Sequence, residues 1–222
     1  MLVITVAQPK GGAGKSTIAL LLGLTFSADC TVALLDADPN QPLVTWAEGA
    51  DTGPNLHVVD VPHKRHIDTA IKEARMQSEV VIVDTEGIAD LRILSAVSAS
   101  DLVIIPCQGS ILDQQSAVDL IQAIRNQKHQ PLHVVVMNRT SAAIRPKDLT
   151  ATIEQFKAND IAVIETEVLE RAAYRSLFSF GATFSGLKAE GVSGVDRAME
   201  NASALAHEVR AILKDHKAVT HA

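Results

Sequence analysis

Apolar residues gather into seven short runs, spaced so that a helix fits between one and the next. They are LVITVA (2–7), TVALLD (31–36), LHVVDV (56–61), EVVIVD (79–84), DLVIIP (101–106), LHVVVM (132–137) and IAVIE (161–165). Several are apolar at nearly every position and rich in Val and Ile. A strand covered on one face alternates, so unbroken runs predict strands buried on both faces, as in a parallel sheet. Between them lie helix-like segments at 16–28, 64–76, 89–99, 113–127, 147–159 and 194–216. Strand and helix in alternation predict an α/β fold: a doubly wound, mostly parallel sheet with helices on both faces. The glycine-rich stretch 179–194 predicts a long surface connection. No repeat or low-complexity linker divides the chain, so 1–222 is expected to form a single domain.

Composition narrows the picture only slightly. Of 222 residues, 47% are hydrophobic and 21% charged, a globular balance. Lys and Arg number 20 against 26 Asp and Glu, a net charge of −6, which excludes a globally basic nucleic-acid binder but not a local basic patch. Cys30 and Cys107 are too few for a disulfide framework or a thiolate metal site, and the His63/His66 pair has no companions for metal binding. The N-terminus has no basic leader, and the apolar stretch 18–26 falls far short of the ~20 residues that span a bilayer. These features predict a soluble, cytoplasmic protein.

The chemistry begins where the first run ends, at Gln8-Pro9-Lys10-Gly11-Gly12-Ala13-Gly14-Lys15-Ser16-Thr17. Glycines let a loop curl so that successive N–H groups converge on phosphate oxygens, and the following helix adds its positive end. In such a loop Gly11, Gly12, Ala13 and Gly14 form the cradle, Lys15 bridges the β- and γ-phosphates, the Ser16 hydroxyl ligates Mg²⁺ and Thr17 donates to the α-phosphate. The strict phosphate-loop pattern places Gly where this chain has Pro9, so the match is to a variant that carries Lys10 at its start. A dinucleotide-binding reading fits Gly12, Gly14 and Asp36 but meets Thr17 where it needs a third glycine, and leaves Lys15 and Ser16 without a role.

In open α/β sheets ligands collect at the carboxyl ends of strands. Asp36, Asp38 and Asp84 all stand at such ends, and an acid at the end of a buried strand can hold Mg²⁺ through its water shell. Asn138-Arg139-Thr140-Ser141 follows the sixth run where a guanine-reading site would place N-K-x-D. Without that Asp the guanine N1 and N2 protons have no acceptor, so ATP is the expected nucleotide.

KGGAGKST (10–17), LLDADPNQP (34–42) and VVIVDTEG (80–87) together resemble the phosphate loop, second acidic motif and Walker B motif of the ParA/MinD group of deviant-Walker ATPases. DADPNQPLVTW (36–46) and ERAAYRSLFSFG (170–181) bring the likeness closest to short plasmid-partition ParA proteins and to ParA relatives that promote conjugative DNA transfer. The resemblance implies an ATP-dependent homodimer in which Lys10 reaches the partner's phosphates, Asp38 orients the attacking water, Asp36 and Asp84 support Mg²⁺, and Asn138 contacts adenine. Glu86 departs from the group, where Pro is common. The chain starts at the first strand, with no added helix–turn–helix domain, so operator-specific repression is not expected.

Short ParA proteins bind DNA without sequence preference. From 120 to 147 the chain has Arg125, Lys128, Arg139, Arg145 and Lys147 and no acid, a net +5. Arg139, Arg145, Lys147, Arg175 and Lys188 are the candidate DNA contacts. The tail 207–222 lacks the large apolar face of a membrane anchor. The implied function is an ATPase that positions or segregates DNA cargo, associates with the nucleoid and answers to a ParB-like or relaxosome adaptor. Rival readings are an accessory ATPase for conjugative transfer and a small-molecule ligase of the same fold.

Overall fold

The computed structural model describes residues 1–62, 66–86, 91–141 and 147–220. Among them a seven-stranded, all-parallel sheet forms from β1 (Leu2–Val6), β2 (Val32–Ala37), β3 (Leu56–Asp60), β4 (Val80–Thr85), β5 (Leu102–Cys107), β6 (Leu132–Thr140) and β7 (Val168–Leu169). The spatial order is β3-β2-β4-β1-β5-β6-β7. From β1 the chain passes to β2 and out to the edge at β3, returns to β4 between β2 and β1, then crosses to β5 and runs outward through β6 and β7; such sheets take ligands at their carboxyl edge, where the winding reverses.

Successive strand residues face opposite layers, and the core divides accordingly. Ile4, Val6, Leu34, Ile82, Ile104, Val134 and Val136 pack on α1 (Lys15–Phe26), α2 (Pro42–Ala47), α7 (Ala172–Phe180), α8 (Phe184–Ala189) and α9 (Val195–Thr220). On the other face Val3, Ala33, Leu35, Val81 and Val83 meet α3 (Ile67–Ala74) and α4 (Leu91–Ser98). Val103, Ile105, Val135 and Met137 meet α5 (Ile111–Arg125) and α6 (Lys147–Ala158). The doubly wound α/β architecture expected from the unbroken Val/Ile runs is the one observed.

Two expectations are corrected. The run 161–165 is not a strand: Val163 makes one isolated bridge to Val135, and the seventh strand is the two-residue β7. Ile161 is buried in the layer with α5 and α6 and Ile164 in the layer with α1 and α9, so this run links the two cores beside the sheet's last strands. Half of the stretch 179–194 is helical. Gly181 ends α7 in the left-handed conformation (φ +53°), and the Thr183 hydroxyl caps α8 by accepting from the Gly186 N–H at 3.3 Å. Its glycines punctuate helices, as a C-cap glycine does.

Candidate functional site

The loop from Ala7 to Gly14 joins β1 to α1 at the sheet's carboxyl edge. Gly12 (φ +77°) and Gly14 (φ +93°) adopt the left-handed conformation that the curl demands. Gly14 is also the N-cap of α1, and a Cβ there would lie 2.0 Å from Asn138 Nδ2. Asn138, buried at the end of β6, donates to the Ala13 carbonyl at 2.7 Å, and Gln108 donates to the Gly12 carbonyl at 2.9 Å. Gln8, fully buried, donates to the Pro106 carbonyl at 3.1 Å and accepts from the Ser116 hydroxyl at 2.7 Å. With carbonyls held from outside, the amide N–H groups are what the loop offers an anion.

Lys15 opens α1 and is 6% exposed, its Nζ donating to the Lys10 carbonyl at 3.4 Å. Burial lowers its pKa, and the charges of Asp84, Asp38 and Glu86 oppose that shift. Asp84, on β4 and paired in register with Asp36, is fully buried, and neither carboxylate oxygen has a hydrogen bond of ordinary geometry. Burial pushes its pKa up to about 8, although the nearby Ser16 hydroxyl favours the charged form; Asp36 adds to the rise and Lys15 counters it. A buried carboxylate with two orphaned oxygens, next to a hydroxyl and a phosphate loop, fits a hard divalent cation such as Mg²⁺, which needs one or two protein ligands besides substrate phosphates. Ser16 and Asp84 are the residues that would hold it.

Asp36, expected beside Asp84 as a support for Mg²⁺, is engaged by backbone donors. Its Oδ2 accepts from the N–H groups of Leu43 (2.8 Å) and Val44 (3.0 Å), and Oδ1 from that of Asp38 at 3.3 Å. Its carboxylate caps α2, and burial, opposed by these bonds, raises its pKa. Asp38 stands just past β2, half-buried, and accepts from the backbone N–H of Asn40 at 2.8 Å and from its side-chain amide at 2.9 Å.

Lys10 turns toward α5. Its Nζ lies 2.8 Å from Asp113 Oδ1, with the lysine side chain 36% exposed and the carboxylate 3%. Asp113 is also bonded to the Ser110 hydroxyl that caps α5. In the isolated chain, then, Lys10 has a partner in cis.

A cleft of about 460 Å³ opens beside Thr17 and Asn138, walled by Arg139, Leu169 to Arg171, Tyr174, Arg175, Phe178 and Ser179. Arg139 occupies a β-bulge of β6 with φ +54°, a conformation that side chains rarely adopt away from functional positions. Arg171 Nε is buried there with no hydrogen bond.

Three of the five basic candidates, Arg139, Arg175 and Lys188, have described side chains. Arg139 and Arg175 line this cleft, and Arg175 is paired with Glu170 at 3.0 Å. Lys188 pairs with Asp196 at 2.5 Å, between α8 and α9. Arg145 and the side chain of Lys147 lie outside the described residues, as does His63.

Sequence reasoning missed Gln8, Gln108 and Asp113. For Asp113 a signal was present, because Ser110-Ile111-Leu112-Asp113 has the spacing of a capping box. For the two glutamines there is none, since their partners are loop carbonyls distant in sequence.

A glycine-curled phosphate loop at the switch point of a parallel sheet, with two lysines on the loop and an orphaned acid behind it, defines a P-loop nucleoside triphosphatase of the ParA/MinD kind. Residues 1–218 match the model of the VirC1 protein family, and the chain belongs to that family. It is 35% identical over 211 residues to the protein ParA of Rhizobium radiobacter, covering 93% of this chain and 95% of that one. It is 28% identical over 200 residues to the maintenance of carboxysome distribution protein A of Halothiobacillus neapolitanus, covering 87% and 91%. A Cyanothece McdA variant solved as its ATP complex shares the fold, with a TM-score of 0.73, 17% identity and coverage of 94% and 96%. The chain is thus a ParA/MinD-type ATPase of the positioning and partition group. Among the described residues no helix is long and apolar enough to cross a membrane.

Proposed function

We propose that this chain binds ATP with Mg²⁺, closes into a homodimer over two nucleotides, binds DNA without sequence preference as that dimer, and is reset by hydrolysis. The observation that carries this reading is the pair of lysines on one loop. Lys15 is buried on the inner side, and Lys10 is half-exposed at the rim with Asp113 as its partner. Two cations so placed can serve one triphosphate from two subunits, Lys15 in cis and Lys10 in trans, as an arginine finger does.

The nucleotide lies with its phosphates on residues 11–17 and its base in the cleft beside Asn138 and Arg139. Ser16 and Asp84 hold Mg²⁺, which supplies charge neutralisation at the phosphates. Asp38 orients the attacking water, and Asp36 holds α2 and with it the segment that carries Asp38. The product is a positioning cycle for DNA or another cargo in the cytoplasm, on the nucleoid, with a ParB-like or relaxosome adaptor stimulating turnover. One further reading of the cargo draws support from the comparisons: the carboxysome-distribution relative keeps a non-DNA cargo in view. An accessory role in conjugative DNA transfer rests on the motif resemblance of residues 36–46 and 170–181.

The test is sizing and a DNA titration in parallel, each with ATP, with ADP and without nucleotide, at fixed salt. The expected result is a dimer and DNA binding with ATP alone. A monomer that ignores DNA in all three conditions refutes the cycle.

A further inference from the structure

We propose that Trp46 is a positioning residue that couples the phosphate end of the site to the wall of its cleft, so that α2 and α7 move together. The inference rests on the nucleotide reading above and adds a residue that reading does not use.

α2 is held at both ends. At its start Asp36, the register partner of Asp84, accepts from the Leu43 and Val44 N–H groups at 2.8 and 3.0 Å. At its far end Trp46 is 1% exposed, and its indole N–H donates to the Ala182 carbonyl at 2.9 Å across 136 residues of chain. Ala182 directly follows Gly181, the left-handed residue that ends α7. Beside this bond the two backbones touch. A Cβ on Gly49 would lie 3.0 Å from the Gly181 carbonyl oxygen, and one on Gly181 would lie 3.2 Å from Gly49 Cα. α7 in turn presents Tyr174, Arg175 and Phe178 to the cleft.

A helix of six residues has no stability of its own, so α2 sits where its anchors put it. A cation or phosphate arriving next to Asp84 and Lys15 acts on Asp36, and so on the start of α2. A close-packed indole cannot slide without opening a void, so the displacement passes to Ala182 and α7. Filling the cleft sets α7 and acts back through the same bond, because coupling between two sites is reciprocal. Phenylalanine would fill most of the indole's place but donate nothing to Ala182, which separates the bond from the packing.

Trp46 is the only tryptophan in the chain and reports on its own surroundings. The experiment uses the full chain with Mg²⁺ and compares ADP with AMP, which keeps the base and ribose but lacks the β-phosphate. Indole emission is titrated with each, and hydrogen exchange is followed in α7 and in residues 11–17. In the native chain both ligands are expected to protect α7, and ADP to shift the emission more than AMP.

In Trp46→Phe, ADP still protects residues 11–17, while its protection of α7 falls about fivefold and the KM for ATP rises about as much, with kcat within about twofold. Unchanged α7 protection, or an unchanged KM, overturns the proposal. Should Trp46→Phe fail to fold, Gly49→Ala presses on the Gly181 carbonyl without touching the indole. The same selective loss in α7 is expected there, and full protection overturns the coupling. A native chain that binds neither ADP nor AMP removes the nucleotide reading itself, and that failure is seen in the control before any variant is compared.

Discussion

A carboxylate shut away from water, as Asp84 is, holds its proton far above the ordinary range, to about 8, although the Ser16 hydroxyl counters the rise. The raised value means that the folded state favours the protonated acid. The stability it contributes is fully present below the ordinary 3.8 and is lost as pH rises through about 8. Asp84→Asn mimics the protonated form. The melting temperature of the nucleotide-free native chain is therefore expected to fall relative to that of the variant between about pH 4 and pH 8, as thermal unfolding scans of both would measure. Cation binding needs the charged acid, so uptake of Mg²⁺-nucleotide should release a proton near neutral pH, and calorimetry in buffers of different ionisation heat would detect it.

The other decisive side chain is Lys15, buried among Asp84, Asp38 and Glu86. Lys15→Ala is expected to weaken ATP binding about a hundredfold or more, because it leaves buried phosphate charge without its cation. A fluorescent-nucleotide titration checks this.

At the scale of elements, the phosphate loop is shaped by its braces as much as by its own glycines. Gly14 has both reasons to be glycine at once: φ +93° and Asn138 Nδ2 where a Cβ would stand. Gly14→Ala should cost about 1–3 kcal/mol in backbone strain alone, and at about 2–4 °C per kcal/mol for a chain of this size it lowers the melting temperature by several degrees. Nucleotide binding should fall with it, since the Asn138 brace to Ala13 must move.

The strands around this loop were legible because burial on both faces writes an unbroken Val/Ile run, and the loop was legible because curling around phosphate restricts residue type at adjacent positions. α2 was not. Its first-turn N–H groups are capped by Asp36 from the preceding strand, while the N-cap position is a left-handed Gln41. α8 hid behind glycines that read as a loop. The place of Arg139 in the cleft follows from a bulge and a positive φ that no sequence pattern announces. Charge along a sequence does not say which ion pairs form, so the pairs Arg175–Glu170 and Lys188–Asp196 were not legible either. The partner of Lys10, 103 residues away on α5, was invisible for the same reason.

For the whole molecule the question is what a second copy must overcome to receive Lys10. Leaving its cis site strips Asp113 of its cation, and that carboxylate is 3% exposed, so the release is costly until the phosphates of the partner compensate. Ser110 keeps a hydrogen bond to Asp113 in either case and preserves the cap of α5. Asp113→Asn retains the shape and an oxygen that accepts from the Ser110 hydroxyl but removes the charge that detains Lys10. It is expected to lower the ATP concentration at half-dimerisation by about threefold to tenfold, while Lys10→Ala should bind ATP and remain a monomer. Sizing across an ATP titration of the three proteins distinguishes the outcomes. If Asp113→Asn dimerises at the native ATP concentration, the pair with Lys10 does not oppose assembly. If Lys10→Ala dimerises normally, the sandwich does not depend on a lysine supplied from the opposite subunit.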